Sequence, residues 1–157
     1  MATGEDSMDL QTVPYVDLKR YLGKWYDIAS FPQRFQKGCR CTTAEYSSNE
    51  DGSIKVVNRC RVAGKEKVRT AKAKVKDKKT NAKLSVQFFW PFTGKYWIID
   101  LAGDYSYAVV GHPSRNYLWI LSRQPVMEAA VYQGILDRLR LQGYDISRLE
   151  KTPQDCS

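Results

Sequence analysis

The residues of this chain with the most specific chemistry are four cysteines and one histidine. Cys39 and Cys41 stand one residue apart, Cys60 follows, and Cys156 is next to last. Structural zinc sites use cysteine pairs separated by about two to four residues, completed by further Cys or His. The Cys39-Arg40-Cys41 spacing is too tight for that, and His112 is the sole imidazole. Disulfide formation is the chemistry left. Four cysteines allow three complete pairings, and the spacing does not choose among them. Two disulfides favour an oxidising, extracytoplasmic compartment; four free thiols in a reducing one are the alternative.

Catalysis finds little support. His112 lies in His112-Pro113-Ser114-Arg115, a loop-like segment where an exposed histidine is the ordinary occupant. There is no phosphate-cradling glycine loop, no Gly-x-Ser-x-Gly elbow and no metal-ligand cluster, so neither an enzyme nor a cofactor or metal is expected. Charge is more informative. The net charge is +8 and nine Lys or Arg fall from Lys65 to Lys83. Lys72, Lys74 and Lys76 alternate with Ala71, Ala73 and Val75, which puts a charged face outside an apolar one on a single strand. Such a face attracts anionic surfaces. Nucleic-acid binding would need stacking aromatics among the cations, and this run has none, so no nucleic-acid partner is expected; the ordinary reading of the run is a solvated strand face, and peripheral contact with an anionic membrane is the alternative. The aromatic segment Phe88-Phe89-Trp90-Pro91-Phe92 lies just beyond; it either packs under a neighbouring element or forms a rim for ligand or membrane.

These residues must be held by a framework of strands. At 157 residues, with 43% hydrophobic and 12% aromatic content, the chain suits one β-rich domain. Strands are predicted at Lys24 to Phe31, Cys41 to Ser47, Ile54 to Val62, Lys67 to Val75, Lys83 to Phe89, Lys95 to Leu101, Tyr107 to Gly111 and Tyr117 to Arg123. Asp51-Gly52 supplies a hairpin turn, and Asp77, Pro91, Gly94, Gly103 and Pro113 punctuate the rest. After Pro125 the spacing of Val131, Ile135, Leu136 and Leu139 predicts a helix of about 16 residues, with Pro125 at its start and Gly143 at its C-cap. The expected fold is all-β: an eight-stranded up-and-down antiparallel barrel with one C-terminal helix packed on it. Residues 1–12 read as a polar tail and 13–157 as the domain; the segment from Tyr144 on reads as extended and tied back through Cys156. The acidic start is unlike a signal peptide, and no run approaches the roughly 20 apolar residues that span a bilayer.

Three segments carry a family resemblance. Gly23-Lys24-Trp25, within Tyr21-Leu22-Gly23-Lys24-Trp25-Tyr26-Asp27-Ile28-Ala29-Ser30-Phe31-Pro32, resembles the Gly-x-Trp opening motif of the lipocalins. Asp104-Tyr105-Ser106-Tyr107-Ala108-Val109-Val110 resembles the second motif, and Tyr117-Leu118-Trp119-Ile120-Leu121-Ser122-Arg123 the third, in which an Arg ends strand eight. The first and third are most similar to bacterial outer-membrane lipocalins, plant temperature-induced lipocalins and apolipoprotein D. Cys39, Cys41, Cys60 and the terminal Thr152-Pro153-Gln154-Asp155-Cys156 are similar to plastid lipocalin. The resemblance implies a closed barrel that binds a small hydrophobic ligand, with Gly23, Trp25 and Arg123 as scaffold residues: Trp25 floors the barrel and Arg123 covers its indole. It also implies a barrel-to-tail disulfide, Cys41 with Cys156, as in apolipoprotein D, with Cys39 and Cys60 expected in disulfide form too. The loop at Pro91 to Gly94 is shorter than the proline-rich loop of plant relatives, which argues against anchoring through it.

The function this implies is carriage or sequestration of a fatty acid, lysophospholipid or related lipid, linked to membrane protection under stress. Alternation and position nominate Tyr46, Val56, Asn58, Phe88, Tyr96, Trp97, Tyr117 and Trp119 as cavity lining. Two alternatives stand beside it. An enzyme on a lipocalin barrel, as in the xanthophyll de-epoxidases, would need two carboxylates together in the lumen; a basic surface module would need only the charged face.

Overall fold

Alternating side chains set the strands, and turns with positive φ separate them. The computed structural model describes residues 9–33, 36–89 and 92–156, without the side chains of residues 88–93. Eight main strands follow in order: β1 (Gly23–Ser30), β2 (Arg40–Ser48), β3 (Ile54–Val62), β4 (Lys65–Val75), β5 (Lys83–Phe89), β6 (Phe92–Leu101), β7 (Tyr107–Gly111) and β8 (Leu118–Ser122). Each pairs antiparallel with the next, and β1 pairs with both β8 and β2, which closes the barrel. Alternation is clear in β3, where Ile54, Val56 and Cys60 are buried while Lys55 and Arg59 are exposed.

Two cores result. Inside the barrel, Trp25, Ala44, Tyr46, Val56, Ala71, Ala73, Val86, Val110 and Leu121 form one cluster. Outside it, Phe31, Ile99, Val109, Leu118 and Ile120 pack against helix residues Ile135 and Leu139. Burying both faces of β7 and β8 explains why these strands read as continuous apolar runs.

The helices are α1 (Leu18–Tyr21) and α2 (Ala129–Leu141). Helix α2 has 13 residues rather than about 16 and begins at Ala129, not at Pro125. The chain bends from Arg123 to Val126, and the first helical hydrogen bond runs from the Tyr132 amide to the Glu128 carbonyl at 3.0 Å. The C-terminus fits expectation. Gly143 takes φ +85°, its amide bonds to the Arg140 carbonyl, and the Tyr144 amide reaches back to Leu139. That is a Schellman cap. Within the segment read as a polar tail, Leu10 is buried in the outer core and the Gln11 backbone exchanges two hydrogen bonds with the Gln142 side chain.

The C-terminal segment is more ordered than an extended tail. A 3-10 turn (Ile146–Arg148) leads into β9 (Glu150–Lys151), which pairs with β1 at Ala29 and Ser30. Strands β1 and β2 pair directly only from Gly23 to Tyr26. Beyond that point the tail bridges them. The Thr152 amide donates to Ile28 O (3.0 Å), the Cys41 amide to Pro153 O (2.8 Å), and Gln154 Nε2 to both Asp27 O and Thr42 O (2.9 Å each). Disulfides join Cys41 to Cys156 and Cys39 to Cys60.

Candidate functional site

The barrel is closed at one end and open at the other. Near the closed end Trp25 is fully buried; its indole N–H donates to Tyr21 O at 2.9 Å. The Arg123 guanidinium lies 3.7 Å from the indole centroid and donates to the carbonyls of Arg20 (2.7 Å), Leu22 (3.0 Å) and Lys24 (3.0 Å). It follows β8 directly, so the strand end aims it across the floor. Gly23 is needed where it stands: φ is +103°, and a Cβ there would meet Arg123 Nη1 at 3.3 Å. Gly23, Trp25 and Arg123 thus serve as a plug.

Above this plug lies a cavity of about 90 Å³. Its walls come in layers because β3 and β4 pair in register. Val56 opposite Ala71 belongs to the apolar depth; Asn58 opposite Arg69 and Cys60 opposite Lys67 form a polar layer nearer the mouth. Ala44, Val86, Val110 and Leu121 complete the apolar wall. At the floor, the Tyr96 hydroxyl is 2.7 Å from those of Tyr21 and Tyr46. Burial raises the pKa of all three, that of Tyr46 to about 12, so the floor is neutral.

Asp27 sits at the side of the cavity, where β1 parts from β2. Burial pushes its carboxyl up to about 7, although hydrogen bonds from Thr152 (3.2 Å) and Gln36 pull the other way. Among the described residues it is the one carboxylate lining the cavity, so the paired carboxylates required for the enzymatic alternative are not present there. Half-buried His112 accepts the Ser114 amide at Nδ1, 3.0 Å away, and its pKa is lowered by burial and by Lys95.

Tyr46, Val56, Asn58, Tyr96 and Trp119 come together around the cavity. Trp97 does not join them. Pleating turns it outward once Tyr96 faces in, and it packs on the outer core with Lys83 Nζ 4.3 Å from its ring centroid. Tyr117 precedes β8, is 38% exposed, and stacks on Trp119 at 6.2 Å without lining the cavity. The Phe88 side chain, like those of Phe89, Trp90 and Phe92, lies outside the described residues. Lys67 and Arg69 also line the cavity, half-buried and exposed respectively, on the same side of β4 as Ala71 and Ala73, so extending that alternation backward finds them. Asp27, Gln36 and Thr42 carried no such signal, because the departure of β1 from β2 that exposes them to the cavity is set by the distant tail.

The same architecture recurs in known proteins. A family model described as "Lipocalin-like domain" matches residues 16–154. Temperature-induced lipocalin-1 of Arabidopsis thaliana is 42% identical over 158 aligned residues, covering 95% of this chain and 85% of that protein. Outer membrane lipoprotein Blc of Escherichia coli K12 is also 42% identical, over 84% of this chain and 76% of that one. Mouse apolipoprotein D is 35% identical, over 88% and 77%. Among solved structures, insecticyanin of the tobacco hornworm Manduca sexta superposes with a TM-score of 0.76 at 22% identity, covering 95% of this chain and 85% of that one.

Proposed function

The chain belongs to the lipocalins, a family whose barrels bind small hydrophobic ligands, and from that premise we propose that it carries a single-chain lipid without turning it over. The observation that supports this is the layered cavity: apolar walls below, polar groups at the mouth. A chain inserted among Val56, Ala71, Val86 and Leu121 gains about 25 cal/mol per Å² of apolar surface removed from water. Tyr46, Val56, Asn58, Tyr96 and Trp119 are the lining residues proposed to touch it. Protection of membrane lipids under stress is the physiological role we attach, supported by the name of the temperature-induced relative. Contact with an anionic membrane is supported by the outer face of β4, where Lys72 and Lys74 are exposed while Ala71 and Ala73 are buried.

Native mass spectrometry of the purified protein, followed by lipid extraction, tests the reading. A stoichiometric fatty acid, lysophospholipid or similar amphiphile is expected. Added single-chain lipids should also shift the emission of Trp119, and Ala71→Trp, which fills the cavity, should abolish that shift. A protein that holds no lipid and takes up none would overturn it.

A further inference from the structure

Resting on that reading, we infer that the cavity floor holds a spare hydrogen-bond donor, and that the lipid this barrel takes bears a neutral oxygen, a hydroxyl or a keto group, at the end of its chain that reaches the floor. A count of protons carries the inference. Tyr21, Tyr46 and Tyr96 bring three hydroxyls together, joined by two hydrogen bonds of 2.7 Å, Tyr21 with Tyr96 and Tyr46 with Tyr96. Each hydroxyl has one proton to donate. Two bonds use two of the three protons, and these are the only hydrogen bonds the three hydroxyls make among the described residues. One O–H is left over in a place shut off from bulk water, since Tyr21 and Tyr46 are 3% and 7% exposed.

Two effects send that proton to the cavity. Tyr46 and Tyr96 line it and Tyr21 does not, so a spare proton on Tyr21 would lie against the rings of Trp25 and Tyr46 as an unmet buried donor. The Arg123 charge at the closed end also acts on Tyr21 and Tyr46, and a cation draws hydroxyl oxygens toward itself and turns their protons away. Burial keeps all three phenols protonated at neutral pH, so the floor donates without carrying charge. A carboxylate needs several donors to leave water, whereas one hydroxyl suits an uncharged acceptor. Above the floor Val56, Ala71, Val86 and Leu121 present apolar side chains, which places the matching oxygen at the far end of the chain rather than along it.

The test compares decanoate, dodecanoate, tetradecanoate and hexadecanoate with the same acids bearing a terminal hydroxyl, and with the same acids bearing a keto group beside the terminal methyl. Each displaces a neutral fluorescent hydrophobic probe from the intact protein. At the chain length that reaches the floor, both oxygenated acids should bind about three- to tenfold more tightly than the plain acid. A keto oxygen accepts and cannot donate, so its gain identifies the protein as the donor. In Tyr46→Phe/Tyr96→Phe the order should invert, because an oxygen buried without a partner weakens binding. Undiminished binding of the plain acid shows that this variant is folded; if it does not fold, the keto comparison in the unmodified protein decides alone. A gain for the hydroxy acid with a loss for the keto acid would overturn the inference by making the floor an acceptor. No gain for either at any length in the unmodified protein would overturn the donor while leaving lipid carriage intact. Failure of every acid to displace the probe would overturn lipid carriage itself.

Discussion

At its closed end β1 is joined to β2 by four consecutive backbone pairs, Gly23 with Tyr46 through Tyr26 with Thr43, whereas at the mouth the same strands are bridged by the tail. The closed end is redundant. Trp25, Arg123, Gly23 and the one-turn helix α1 each hold it, through an indole face, three short hydrogen bonds to carbonyls and a tight glycine. The mouth hangs on residues 152–156, tied by the Cys41–Cys156 disulfide across 115 positions and by an Arg40–Asp155 ion pair at 2.6 Å. That pair is exposed and contributes little. The contrast separates two tasks within one seam: a floor whose partners are packed side chains, and an upper half whose integrity depends on a distant covalent tie.

The largest break in this comparison is Trp25→Ala. Removing a fully buried indole leaves a void beneath Arg123 and should cost roughly 3 to 5 kcal/mol in chemical denaturation. A loss below about 1 kcal/mol would mean the floor does not rest on this residue. Next is Cys41→Ser/Cys156→Ser, expected to cost roughly 2 to 4 kcal/mol by freeing the unfolded chain. Hydrogen exchange distinguishes this from general loosening. The amides of Cys41 and Thr152 should lose protection, while that of Trp25 should keep it. Uniform loss across both ends would show that the seam opens as one unit.

Asp27 adds a pH dependence peculiar to the upper half. Its folded-state pKa is about 7, raised by burial above an ordinary value near 3.8. The folded protein therefore holds a proton that the unfolded chain releases, and the stability this supplies is fully present below about pH 4. It is lost as pH rises through about 7, with a slope of up to about 1.4 kcal/mol per pH unit. Asp27→Asn should flatten that slope in denaturation curves taken from about pH 4 to 8. An unchanged slope would place the titration elsewhere.

Much of the fold was legible because β2, β3 and the inner half of β4 write their burial in a period of two, β7 and β8 read as continuous apolar runs, and Gly143 marks the helix end. What escaped has physical reasons. Helix α1 and strand β9, of four and two residues, are too short to carry a period. Pro125 looked like a helix start because proline suits a first turn, but the chain spends those residues leaving the barrel. The site was harder. Adjacent aromatic residues at 96 and 97 make either parity plausible, and both stand among the nominated lining residues; strand pairing turns Tyr96 inward and Trp97 outward. Tyr117 has the parity of Trp119 but lies beyond the strand end. Lys67 and Arg69 were recoverable by extending the Ala71/Ala73 alternation backward; Asp27 was not, because its burial depends on a tail that meets β1 only in the folded chain.

The smallest effect, and the sharpest, concerns the floor where closed end and cavity meet. A hydroxyl can donate once and still accept, so Tyr96, 2.7 Å from both Tyr21 and Tyr46, can serve the two together. Tyr96→Phe deprives two buried hydroxyls of a partner, whereas Tyr21→Phe leaves the Tyr46–Tyr96 bond in place. Because an unmet buried polar group costs more than the bond it replaces contributes, the first variant should lose about 1 kcal/mol more stability than the second. Urea denaturation of Tyr96→Phe, Tyr21→Phe and Tyr46→Phe measures the difference. Equal losses in all three would mean that water meets these hydroxyls, making the floor an extension of the wet mouth. A larger loss at Tyr96 would place the floor with Trp25 and Arg123, as a dry hydrogen-bonded base against which the end of a lipid chain can stop.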